Sequence, residues 1–157
     1  YKDEIQFAIK PHPFLKSLLE NDYLWGESKT RKYFKKWSVI ENCQFVTGDY
    51  KELFEQSDAL IHDSGSFMTE YVVLNKPVAY TVSEIGIHGR FNDFGDIVLS
   101  GHEIVYNELD LRRFIENILN GVDTLKEKRE AIIKEHRLSG DELIGDKILN
   151  ILNRELK

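Results

Sequence analysis

Residues 62–70 read His-Asp-Ser-Gly-Ser-Phe-Met-Thr-Glu. Three small hydrogen-bonding residues, Ser64, Gly65 and Ser66, stand where an apolar run gives way to a helical period. A turn of this kind, opening a helix after a strand, is a physical anion site. Free backbone N–H groups and the positive end of the helix dipole point at one spot, and two serine hydroxyls add donors. That chemistry suits a phosphate or diphosphate. Ser, Gly and Asp also open helices that bind nothing, as ordinary N-caps, so the turn alone leaves both readings open.

A second candidate is His12, set between Pro11 and Pro13 at the end of an apolar run. Proline on both sides stiffens the backbone and restricts the residue before it. An imidazolium there could neutralise charge on a leaving nucleotide or donate a proton to it. The alternative is a loop histidine with no such role. Arg90, in His88-Gly89-Arg90, could reach a phosphate from a loop, with a solvated surface arginine as the plainer reading. Asp63 is expected to bond turn amides, and His62 to be either packed or functional. His88 and His102 have no ligand-spaced partners, and no Cys/His metal pattern occurs. Neither a metal nor a cofactor is expected.

These residues need strands that end beside them. Ile5–Ile9 reads as a first strand and Cys43–Thr47 as a second. Ala59–Ile61 is a short apolar run suited to a strand buried on both faces. Pro77 leads into another strand over 78–82, and Ile104–Tyr106 suggests a last one. Helices are expected over 14–19, 27–37, 50–56, 67–74, 108–120, 122–136 and 140–155. The 108–120 helix carries Leu111, Phe114, Ile115, Ile118 and Leu119 at helical spacing. Residues 83–102, with glycines at 86, 89, 95 and 101, read as a loop, and 84–95 as a lid over a bound ligand. Alternation with short connections predicts an α/β fold: a Rossmann-like parallel sheet of at least four strands with helices on both faces. Ligands of such sheets bind beyond the carboxyl ends of the strands. Both Pro11-His12-Pro13 and Asp63-Ser64-Gly65-Ser66 are expected at such ends.

Composition sets the bounds. At 157 residues the chain is expected to form a single domain, 1–157, with C-terminal helices from about 108. Apolar residues at 41% and charged residues at 31% describe an ordinary globular protein. A net charge of −6 argues against nucleic acid as a partner and makes any phosphate site a local one. The single Cys43 excludes an internal disulfide and suits a reducing, cytoplasmic compartment. No apolar stretch approaches the roughly 20 residues a bilayer requires, and no signal peptide is visible. Lys29, Arg31, Lys32, Lys35 and Lys36, interleaved with Tyr33, Phe34 and Trp37, could touch an anionic membrane. A solvated helix face anchored by its aromatics is the plainer reading. The chain begins at Tyr1 without a methionine, and we expect it to be part of a longer enzyme.

Residues 57–80 as a whole resemble the C-terminal nucleotide-binding domain of the CDP-glycerol glycerophosphotransferase family, the polymerases and primases of teichoic-acid-type polymers. The matching residues are Ser57-Asp58-Ala59-Leu60-Ile61-His62-Asp63, Ser64-Gly65-Ser66-Phe67, Glu70-Tyr71 and Lys76-Pro77-Val78. The segment is also similar to the donor-binding segment of UDP-N-acetylglucosamine 2-epimerases. Both resemblances imply one half of a glycosyltransferase-B architecture. The first implies a donor-binding domain for CDP-glycerol or a similar CDP-alditol, within an enzyme of cell-surface polymer synthesis at the inner face of the cell membrane. A polyol phosphate would pass to a hydroxyl acceptor held mainly by another domain, so this piece alone would be inactive. The resemblance places His12 at the donor phosphates as the catalytic residue, Ser64, Gly65 and Ser66 around the diphosphate, and Glu70 on the ribose hydroxyls. Many family members carry Asp-Tyr-Ser-Ser where this chain has Asp63-Ser64-Gly65-Ser66, a departure that touches Ser64. The alternatives are a nucleotide-sugar glycosyltransferase, an epimerase-like domain, or a non-catalytic nucleotide-binding scaffold.

Overall fold

Short, largely apolar runs form the strands, and three of the helices begin at a polar N-cap, Ser64, Asn92 and Asn107. The computed structural model describes residues 1–21, 23–83, 89–138 and 152–153. They fall into two compact units, Tyr1–Gln56 and Ser57–Lys157.

The first unit contains β1 (Phe7–Ile9), α1 (Leu15–Glu20), α2 (Gly26–Ser38), β2 (Cys43–Phe45) and α3 (Lys51–Gln56). β1 and β2 pair in parallel with Phe7 opposite Cys43 and Ile9 opposite Phe45. Beyond the strand ends the ladder continues from Val46 N–H to the Ile9 carbonyl, 2.9 Å. α2 packs on β2 through Phe34, whose ring meets Phe45 edge-on at 5.6 Å. Trp25, Phe34 and Trp37 surround Tyr33 in the same edge-to-face manner, an arrangement favoured by the ring quadrupoles. The basic residues of α2 stay exposed, with Lys29 Nζ 4.7 Å above the Trp25 ring. The basic stretch is therefore a solvated face anchored by its aromatics.

The second unit contains β3 (Leu60–His62), α4 (Gly65–Val72), β4 (Val78–Thr81), α5 (Asp93–Leu99), β5 (Glu103–Val105), α6 (Glu108–Leu119) and α7 (Lys126–Glu135). The strand order is β3-β4-β5, all parallel, with His62 opposite Tyr80 and Tyr80 opposite Ile104. The period of two sorts side chains between two cores. On one face Tyr80, Val82 and Ile104 join Met68 and Val72 of α4, Val98 of α5 and Ile132 of α7. On the other, Ala79 and Val105 meet Leu111, Phe114 and Ile118 of α6. Helices thus cover both faces, as expected of a Rossmann-like domain.

Three expectations are corrected. Every pairing is parallel, but neither sheet reaches four strands: among the described residues the ladders are of two and three strands. The fully buried strand is β4, whose Val78, Ala79 and Tyr80 are all inside. The 59–61 run is not, because β3 lies at the sheet edge and Ile61 stays 37% exposed. Residues 83–102 are not one loop. Asn92 Oδ1 accepts the Gly95 N–H at 2.8 Å and starts α5, with Asp93 and Asp96 in its first turn complementing the dipole. Gly95 is a buried helical residue, because a Cβ there would meet Phe91 Cβ at 2.7 Å. Residues 84–88, which carry part of the expected lid and His88, lie outside the described residues, as does most of the 140–155 helix. Among the described residues no helix is long and apolar enough to cross a membrane.

Candidate nucleotide-diphosphate site

At the carboxyl end of β3 the chain turns through Asp63 and Ser64 into α4. Ser64 is the N-cap, extended at φ −91° and ψ 128°, and its hydroxyl caps no helix amide. It lies instead 3.0 Å from Ser66 Oγ. The amides of Gly65 and Ser66 have no acceptor among the described residues. Gly65 and Ser66 are exposed and Ser64 is half-buried. Two open amides and two hydroxyls at a helix start form a donor cluster suited to an anion. An anion turn here implies that the amides of 64–67 all face a ligand; that of Ser64 does not, because it donates to His62 Nδ1 at 3.2 Å.

Gly65 is not required by backbone geometry, since its φ lies outside the left-handed region. A Cβ there would meet only Phe91 Cε1, at 3.4 Å. That contact places the Phe91 ring as a wall beside the turn. Phe91 in turn packs edge-on against Tyr80 at 5.9 Å. The Arg90 guanidinium stands 5.9 Å from the Phe91 ring centre. It is also near enough to Tyr80 to favour the phenolate, although burial outweighs it and raises the Tyr80 pKa. The exposed Arg90 thus stands by the same Phe91 ring that borders Gly65.

The turn is tied to the sheet from below. Tyr80 Oη donates to the Asp63 carbonyl at 3.0 Å, and Thr81 Oγ1 to the His62 carbonyl at 3.3 Å. Asp63 thus serves through its backbone; none of the hydrogen bonds of the described residues joins its carboxylate to a turn amide. His62 is 8% exposed and lies among the rings of Phe67, Tyr80 and His102. Burial lowers its pKa to about 4, so the ring is neutral at pH 7. His102, 3% exposed, is lowered to about 3 by burial and by the neighbouring His62. Its Nδ1 lies 3.1 Å from the Val98 carbonyl, which accepts the Nδ1 proton.

Glu70 lies one helical turn beyond Ser66 on the same exposed face of α4. Ser64, Gly65, Ser66, Glu70 and Arg90 thus all belong to the second unit. His12 belongs to the first, exposed beyond the carboxyl end of β1. Its Nδ1 accepts the Phe14 N–H at 3.2 Å and its ring leans on Phe14 at 5.6 Å. Among the described residues no cluster of three or more His, Cys, Asp or Glu could hold a metal ion. Sequence reasoning left His62 either packed or functional, and the structure packs it; Tyr80 and Phe91 were missed. The only signal was the aromatic content around the turn, which is also what a core would show.

Parallel strands connected through helices on both faces define a Rossmann-like α/β protein. The family model described as CDP-Glycerol:Poly(glycerophosphate) glycerophosphotransferase matches residues 1–150, and the chain belongs to that family. No match was found among curated proteins or among solved structures.

Proposed function

We propose that this chain is the donor-binding part of a glycerophosphotransferase that uses CDP-glycerol or a similar CDP-alditol. The observation that carries this reading is the start of α4, where the Gly65 and Ser66 amides and two serine hydroxyls converge on one exposed spot. In this reading those donors hold the diphosphate, Arg90 adds a positive charge, and Glu70 accepts from the ribose hydroxyls. Gly65 lets the ligand approach the backbone.

The reaction joins an acceptor hydroxyl oxygen to the phosphorus that bears glycerol. It breaks the diphosphate bridge and releases CMP. Charge grows on the bridging oxygen as it leaves, so fixed donors at that point lower the barrier. His12 is assigned to the donor phosphates by the family resemblance, as a charge partner or proton donor for the leaving nucleotide. The acceptor and the base that takes its proton belong mainly to another part of the enzyme. The acceptor is a cell-surface polymer or a lipid-linked saccharide, met at the inner face of the membrane, and this chain alone is inactive.

Calorimetric titration with CDP-glycerol, CDP-ribitol, UDP-N-acetylglucosamine and CMP tests the reading. CDP-glycerol or CDP-ribitol should bind at least about tenfold tighter than CMP, as one more charge-assisted contact implies. Equal binding of CMP would remove the diphosphate cradle. Preference for UDP-N-acetylglucosamine would favour the sugar-nucleotide alternative.

A further inference from the structure

The residue that holds the anion turn in place is not one of the turn's own serines. An N-cap serine ordinarily fixes a helix start by accepting an amide two or three residues on. Ser64 makes no such bond, and its hydroxyl faces Ser66 instead. The turn's conformation is held from the other side, by His62 Nδ1 accepting the Ser64 N–H. This copies an Asx-turn, in which a side-chain acceptor takes the amide two residues later. The ring making the bond cannot swing, because it is buried among Phe67, Tyr80 and His102. Its own carbonyl is held by Thr81, and the next one by Tyr80.

We infer that His62 is a positioning residue for the donor diphosphate. It never meets the ligand. It occupies the Ser64 amide and fixes the turn, in which the Ser64 and Ser66 hydroxyls bond each other and the next two amides stay open. The inference rests on the proposed donor site and extends it to a residue behind that site.

Three substitutions separate positioning from plain packing. His62→Phe keeps an aromatic ring but has no acceptor. His62→Asn loses volume but puts an amide oxygen where Nδ1 stands. His62→Gln is polar but carries its oxygen past that position. A packing role ranks affinity by volume, with Phe above Asn. A positioning role reverses the order. In titrations with CDP-glycerol, His62→Phe and His62→Gln should bind about tenfold more weakly than wild type, the loss of one aligned hydrogen bond. His62→Asn should stay within about threefold of wild type. If His62→Phe does not fold, the Gln and Asn pair gives the same contrast. Phe equal to or better than Asn, or Gln equal to wild type, overturns the inference while leaving the donor site standing. Wild type that does not bind CDP-glycerol overturns the donor site and this inference with it.

Discussion

Acidification should unfold the second unit earlier than its carboxylates would require, and two histidines set the size of the effect. His62 and His102 lie with ring centres 5.3 Å apart and have folded-state pKa values of about 4 and about 3. In the unfolded chain each returns to about 6.5. Both folded values are depressed, so stability is complete above about pH 6.5 and declines as the pH falls toward the folded values. Between pH 7.5 and 5.5 proton uptake favours the unfolded chain by about 3 kcal/mol for the two together. Against a typical domain stability of about 5–15 kcal/mol this is a large fraction. Exposed carboxylates, with ordinary values near 4, contribute little over that interval.

The assay is urea unfolding followed by far-UV circular dichroism at pH 7.5 and 5.5. Hydrogen exchange of residues 78–82 localises the loss, since both tryptophans lie in the first unit. Wild type should lose about 3 kcal/mol. The double variant His62→Asn/His102→Asn, less stable at the outset, should lose almost nothing. If wild type and variant lose the same amount, the two rings are not the buried neutral groups described here. The charges around them are few: Asp63 next to His62, and Arg129 acting on His102. In the protein that stays folded, nucleotide affinity should not fall over that interval through His62, because with a folded pKa of about 4 its Nδ1 still accepts the Ser64 amide at pH 5.5.

Gly65→Val should leave the melting temperature nearly unchanged, since a Cβ there meets only Phe91 at 3.4 Å, while calorimetry shows CDP-glycerol binding lost. His12→Ala should weaken that binding by about ten- to a hundredfold, and unchanged affinity would remove His12 from the donor site. Gly101→Ala should cost about 1–3 kcal/mol in urea unfolding, because its Cβ would lie 2.9 Å from Arg129 Cγ and 3.3 Å from the Val98 carbonyl.

The parallel pairing and the turn at 64–66 were legible because each has a local signal. Val78-Ala79-Tyr80 is an apolar run that follows a proline, and Ser-Gly-Ser before a helical period marks a helix start. What could not be read depended on partners distant in sequence. Gly95 looked like a loop residue, and only the packing of Phe91 over it explains a glycine inside a helix. The 59–61 run looked as buried as 78–81, since its edge position is a property of strand order and not of composition. The aromatic residues of 62–91 carried no label separating those that fill the core from those that stand beside the turn.

Those two duties turn out to be joined. A ligand turn must be open to solvent, and a short exposed turn is the kind of segment that opens locally at low free-energy cost. Here the bonds that restrain it come from residues of the core. Tyr80, fully buried in the central strand, sends its hydroxyl to the Asp63 carbonyl. His62, on the same face of the sheet, sends its ring nitrogen to the Ser64 amide. Phe91 packs on Tyr80 and stands beside Gly65. Each of these side chains has its body in the apolar cluster and one atom or edge at the turn. Distorting the turn therefore means disturbing the core, so donors at the surface are preorganised by packing beneath them. The same coupling makes the site sensitive to acid, because the ring that aims the donors stays neutral only while it remains buried.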